Sequence, residues 1–162
     1  MAFFKKETSQ KEMLFGKIVE YVKSQNWKYR IVGDNQDILE FNMGLKGKIN
    51  SCRVVATSSD KEIQAFTFAP IKADKDAYDN VVEFITRANY GTKLGKFEFD
   101  YRDGEVRYQV CLPCREGVPS MKDVEFAVDC GMLMLQRYGD GLVKNIMGFG
   151  NPEKDIAEIE NN

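Results

Sequence analysis

Residues 96–110 constrain the fold more than any other part of the chain. Aromatic and charged residues alternate on both sides of Asp103-Gly104, and Asp-Gly is the dipeptide typical of a two-residue β-hairpin turn of type I′. With that turn, Phe99 lies opposite Tyr108, and the aromatic side chains share one face of the hairpin while paired opposite charges share the other. The segment therefore predicts an antiparallel hairpin with one apolar and one polar face.

The rest of the chain alternates between helical and strand periodicity, and short turn clusters join the consecutive strands. Four strands joined by such short loops form an antiparallel meander. The predicted fold class is α+β, an antiparallel sheet with the element order α-ββββ-α-ββ-α. The remaining predicted elements are a helix from Ser9 to about Asn26, strands at 27–31, 39–43, 49–56 and 63–69, a helix capped by Asp74 and ended by Gly91, and a helix from Ser120 to about Met147 with a break near Gly139.

A chain of 162 residues fits one domain, because most domains contain about 100–200 residues. We expect a core over residues 9–150. Residues 151–162 form either a short acidic helix, which Asn151 would cap with Pro152 in its first turn, or a tail.

Composition excludes several classes of function. The chain has no histidine, which removes Ser-His-Asp and Cys-His catalysis and every metal site that contains histidine. Its 23 basic and 25 acidic residues give a net charge of −2, so we expect neither nucleic acid nor an anionic membrane surface as a partner. No stretch approaches the roughly 18 apolar residues of a membrane span, and the apolar run at residues 2–4 is far shorter than a signal-peptide core. We therefore expect a cytoplasmic protein.

Cys111 and Cys114 form a C-x-x-C pair, the one motif in the sequence that is typical of redox or metal-binding chemistry. A redox pair normally begins a helix, whose dipole lowers the thiol pKa, but Cys111 ends a predicted strand. A structural zinc site would also have to recruit Cys52 and Cys130. We expect no catalytic, cofactor-binding or metal-binding residues, and redox use of Cys111 and Cys114 is the alternative.

Phe66 and Phe68 make one strand apolar on both faces, because they alternate with Ile63 and Ala65. Either helices cover both faces of the sheet, or Phe66 and Phe68 form an exposed strip that binds a partner. A third possibility is a small-molecule pocket between the sheet and the long helix, for which Met132, Met134 and Met147 would supply an adaptable lining.

The stretch LGKFEFDYRDGEVRY, residues 94–108, resembles the YbjN-type family, whose members are labelled bacterial sensory transduction regulators. The resemblance extends over roughly Ser9 to Gly150, although the C-x-x-C pair is not part of the family pattern. It implies a fold like that of type III secretion chaperones, antiparallel strands backed by helices and often dimeric, with no catalytic residues. We therefore expect a non-enzymatic, regulatory or chaperone-like protein-binding module that forms a homodimer. A thiol-dependent redox protein and a small-molecule sensor are the alternatives.

Overall fold

The computed structural model describes residues 7–161, so the apolar run at residues 2–4 lies outside the described residues. The described part contains six strands and four α-helices. In chain order these are α1 (Gln10–Ser24), β1 (Arg30–Val32), β2 (Ile38–Gly44), β3 (Ser51–Ser58), β4 (Glu62–Phe68), α2 (Tyr78–Asn89), β5 (Lys96–Asp100), β6 (Glu105–Pro113), α3 (Met121–Ile146) and α4 (Pro152–Glu160).

All six strands join one antiparallel sheet in the order β1-β2-β3-β4-β6-β5. The first four form the predicted meander. The chain then passes through α2, adds β5 at the far edge and returns as β6 beside β4. The α+β class and the antiparallel arrangement are confirmed, and α4 adds a helix after the predicted order.

Local capping explains where most helices begin. The hydroxyl of Ser9 accepts from the backbone amide of Glu12, whose carboxylate in turn accepts from the Ser9 amide. Ser120 caps α3 as predicted, and Asn151 caps α4 by accepting from the Lys154 amide. The prediction that Asp74 caps the second helix is wrong, because Asp74 precedes a short 3₁₀ turn and its side chain makes no capping hydrogen bond.

The hairpin of β5 and β6 forms, but its predicted register is wrong by two residues. Phe97, not Phe99, lies opposite Tyr108, and the turn is a four-residue loop over residues 101–104 instead of two residues. The amide of Gly104 donates to the carbonyl of Asp100, and Gly104 has a φ of +75°, so the glycine is needed as expected. A shift of two residues keeps every side chain on its predicted face, because the side-chain period of a strand is two.

The predicted break in α3 near Gly139 does not occur, and the helix is continuous over 26 residues. Its glycines serve close packing instead of ending the helix. A Cβ on Gly139 would lie 3.1 Å from the side chain of Ile49, and one on Gly141 would lie 2.8 Å from the ring of Phe84. The missing side chains thus let the loop before β3 and α2 approach the α3 backbone, and this packing offsets the low helix propensity of glycine.

The helices cover one face of the sheet. Along β4, the buried Ile63, Ala65 and Thr67 alternate with Gln64, Phe66 and Phe68, which solvent still reaches in part. Thr67 packs directly beneath Gly131 of α3. One hydrophobic cluster therefore forms between this covered face and the helices. Its fully buried members include Leu14, Ile18, Val22, Leu39, Val54, Ile63, Val81, Phe84, Tyr108, Val124, Leu135 and Leu142.

Candidate protein-binding surface

Phe66 and Phe68 lie at the centre of the sheet face that the helices leave uncovered. The strand registers place Phe66 between Val55 of β3 and Gln109 of β6, and Phe68 between Arg53 and Arg107. We call the surface formed by Arg53, Val55, Phe66, Phe68 and Arg107 the open face. Of the two alternatives that the sequence left open, the described residues do not show helices on both faces of this strand. Phe66 and Phe68 instead form a partly exposed strip, and its use in binding a partner stays a prediction.

Two arginines stack on this aromatic pair. The guanidinium carbon of Arg53 lies 4.2 Å from the ring centroid of Phe68, and that of Arg107 lies 4.5 Å from the centroid of Phe66. Such cation–π contacts contribute about 0.5–1 kcal/mol at an exposed site. The arginine side chains thus cover part of each phenylalanine ring, and the rest of each ring stays accessible to solvent.

Acidic residues on the neighbouring strands neutralise these arginines. Arg107 forms an ion pair with Glu98 at 2.7 Å, and the guanidinium of Arg53 lies 3.8 Å from a carboxylate oxygen of Glu40. Arg30 pairs with Glu40 from the other side. The open face therefore has an apolar centre and a periphery in which opposite charges balance.

A side chain that the sequence reasoning missed blocks one edge of the sheet. Asn89, at the end of α2, donates from its amide nitrogen to the Phe97 carbonyl at 2.9 Å and accepts from the Phe97 amide at 2.7 Å. It thus occupies the outward backbone groups of Phe97, which another strand would need in order to pair along β5. In the sequence, the only sign of this role is that Asn89 lies seven residues before a strand. That spacing is not enough to predict the contact.

The two cysteines of the C-x-x-C pair lie in different environments. Cys111 is half-buried at the border of the open face and donates to the Glu62 carboxylate at 3.2 Å. Burial, followed by the nearby Glu62 carboxylate, raises the pKa of Cys111 to about 11. Cys114 is buried and donates to the Leu112 carbonyl, and burial raises its pKa as well. Both thiols are therefore held protonated, the opposite of what a redox pair needs.

The other two cysteines lie elsewhere in the fold. Cys52 is buried on β3, and Cys130 is buried on α3 beside Leu94. Burial raises the pKa of both thiols. Within residues 7–161, no group of three or more cysteine, aspartate or glutamate side chains has the arrangement of a metal site.

A concave region, which we call the α3 groove, lies on the helical side of the molecule. It has a volume of about 570 Å³ between the loop at residues 90–94 and one side of α3. Of the three methionines predicted to line a pocket, Met134 lines this groove, whereas Met132 is buried and Met147 is exposed at the end of α3. No helix over residues 7–161 is long and apolar enough to cross a membrane.

Comparison with known proteins gives one match. The YbjN family, described as "Putative bacterial sensory transduction regulator", matches residues 17–143, well over half of the chain. No curated protein and no solved structure matches the chain significantly.

Proposed function

Since the chain belongs to the YbjN family, we propose that it is a non-enzymatic regulatory module that binds a polypeptide partner on its open face. The observation that carries the proposal is the stacked Arg53–Phe68 and Arg107–Phe66 pairs at the centre of the sheet face opposite the helices of residues 7–161. Phenylalanine and arginine are enriched at the centres of protein interfaces, where a few such residues provide most of the binding energy.

The charge arrangement favours a polypeptide over a nucleic acid. Binding to a phosphate backbone depends on cations that are free to replace counterions. Arg53 and Arg107 instead lie beside Glu40 and Glu98, so the open face carries little net positive charge. A protein segment with an apolar stripe and mixed charges would match both its centre and its periphery.

The blocked sheet edge supports binding across the open face instead of along β5. A peptide that extends the sheet needs free backbone groups on an edge strand. Asn89 occupies those of Phe97 in β5, and the opposite edge strand, β1, is only three residues long. An amphipathic segment laid over Phe66 and Phe68 meets neither obstacle.

The chemistry of the cysteines supports a function without catalysis. A thiol enzyme needs a thiolate near neutral pH, but the pKa of Cys111 is raised to about 11. Histidine, the usual general base for a thiol or hydroxyl nucleophile, does not occur in the sequence. Homodimer formation, a chaperone-like role and a cytoplasmic location complete the proposal and stay predictions.

Affinity capture followed by mass spectrometry tests this function. The bait would be the full chain, compared with a Phe66→Ser/Phe68→Ser variant in lysate from the organism that encodes it. Met13→Ser is the matched control, because Met13 is an exposed apolar residue on α1. We expect a protein that is enriched by the wild type and the control and lost with the double variant. Equal recovery with all three baits, at unchanged thermal stability, would contradict the proposal.

A further inference from the structure

The α3 groove is an open depression with a mostly apolar lining. Cys130 and Met134 of α3 form one side, Leu94 belongs to the loop on the other side, and Tyr108 lies at the bottom. Tyr108 is fully buried, and its hydroxyl donates to the Leu94 carbonyl at 2.5 Å, so its polar atom is already satisfied. The groove volume of about 570 Å³ falls in the usual range of roughly 300–1,000 Å³ for small-molecule sites.

Exposed aromatic side chains stand at the rim of the groove. Tyr90 is 91% exposed and Phe126 is 57% exposed, and both belong to the groove lining. By contrast, the aromatic residues Phe84, Phe97 and Tyr138 are almost completely buried. Large apolar groups left in solvent beside a concave surface are typical of a binding site.

The charges around the groove are unequal. Lys93 and Arg137 both line it, and neither forms an ion pair with any residue of the described part of the chain. The guanidinium of Arg137 lies 5.5 Å from the ring centroid of Tyr138. The one acidic residue in the lining, Glu160, accepts a hydrogen bond from the Tyr138 hydroxyl at 3.1 Å. The groove therefore offers two unpaired cations at the border of an apolar surface.

From this geometry we propose that the α3 groove binds a small amphipathic carboxylate, with a medium-length alkyl or aromatic body. The body would contact Leu94, Phe126 and Met134, and the carboxylate would pair with Arg137, with Lys93 adding positive charge nearby. A ligand with one short apolar body and one negative charge matches this lining, which places the unpaired Lys93 and Arg137 beside the apolar Phe126 and Met134. This site is separate from the open face and does not depend on the function proposed for that face.

Methionine methyl NMR would test the site directly. The chain has seven methionines, and of the six within residues 7–161 only Met134 belongs to the groove lining. With ¹³C-methyl methionine in the full chain, we expect sodium octanoate to shift the Met134 signal in a saturable manner. The exposed Met13 and Met147 should stay unchanged. Octan-1-ol and octylamine, which lack the negative charge, should bind at least several-fold more weakly.

Two matched arginine variants separate the proposed charge pairing from a general effect. Arg137→Gln should weaken octanoate binding about tenfold, because a hydrogen bond to a charged group contributes that much to affinity. Arg115→Gln makes the same change at an exposed arginine outside the groove and should leave the affinity unchanged. Phe66→Ser/Phe68→Ser should also bind octanoate normally, so failure at one site is distinguishable from failure at the other.

Several results would overturn the inference. These are the lack of a saturable Met134 shift at millimolar octanoate, equal binding of octanoate and octan-1-ol, and equal affinities of Arg137→Gln and Arg115→Gln. A Met134 shift that depends on protein concentration without added ligand would instead assign the groove to a second copy of the chain.

Discussion

The covered and open faces of the sheet come from the same strands, yet they are built from different side chains. Where α3 crosses the covered face, small residues meet, with Gly131 directly against Thr67. On the open face of the same strand, Phe66 and Phe68 lie opposite the described helices, and arginine side chains stack on their rings. Close approach of a helix backbone requires little side-chain volume at the point of contact, whereas the solvent-facing side of the same strand can carry large aromatic groups.

Alanine substitution of one phenylalanine from each face should give the largest difference between them. Phe97 is 3% exposed and packs edge-on against Tyr108, with ring centroids 4.9 Å apart. Phe97→Ala should therefore lower the free energy of unfolding by about 3–5 kcal/mol, because it leaves a cavity in the core. Phe68→Ala should cost about 1 kcal/mol or less, mainly the stacking with Arg53.

Urea denaturation of both variants measures the two free energies. Equal losses would mean that a further layer covers the open face in the folded protein. That result would contradict the difference in burial between the two faces, on which the proposed function depends.

Two glycine-to-alanine variants test the close approach at the covered face. A Cβ on Gly131 would lie 2.7 Å from the Cβ of Thr67, so Gly131→Ala should cost about 1–3 kcal/mol through overpacking. Gly16 lies on the exposed side of α1 with no atom within 4 Å of an added Cβ, so Gly16→Ala should stabilise the protein by about 0.5–1 kcal/mol. Thermal unfolding should give shifts of opposite sign, and two stabilising shifts would refute the packing argument.

The secondary structure was largely predictable because its signals are local. The capping residues Ser9 and Ser120 and the alternation around Asp103-Gly104 placed the elements correctly. Two of the errors arose where tertiary contacts decide. Gly139 looks like a helix break until the contact with Ile49 is known, and the hairpin register shifted by two because the new register satisfies the same alternation.

The candidate surface was predictable only in part. The alternation of Phe66 with Ala65 identified a strand with two apolar faces, but no local pattern indicates on which face the helices pack. The edge-blocking role of Asn89 depends on a contact with Phe97 that arises only from the tertiary fold. Cys114 illustrates the same point, since it follows the end of β6 in a loop and yet its side chain is packed into the core.

Separate serine substitutions of the two cysteines should have unequal, smaller effects. Cys114 is 4% exposed and belongs to the core cluster, so Cys114→Ser should cost about 1–3 kcal/mol by burying a hydroxyl in an apolar site. Cys111→Ser should stay within about 0.5 kcal/mol, because its side chain borders the open face and a hydroxyl can also donate to Glu62. Chemical denaturation checks both values, and a larger loss at Cys111 would place that thiol on the covered side.

Substitution of Glu62 should change the reactivity of the Cys111 thiol with little effect on the stability of the protein. Its pKa is raised to about 11, first by burial and then by Glu62, so the thiolate fraction is small at neutral pH and grows as the pH rises towards 11. Glu62→Gln removes the carboxylate and should lower this pKa, which would speed alkylation at pH 8. Iodoacetamide labelling followed by mass spectrometry gives the rates. An unchanged or slower rate in Glu62→Gln would contradict the assigned contact.

Hydroxyl-radical labelling of the chain, free and in complex with a captured partner, tests the central claim most directly. In the free chain, Phe66 and Phe68 should be oxidised much faster than the core residues Phe84 and Phe97. In the complex, oxidation of Phe66 and Phe68 should fall while that of exposed Phe149 stays constant. Protection of Phe66 and Phe68 in the free monomer, or equal oxidation of both residues with and without the partner, would contradict the account.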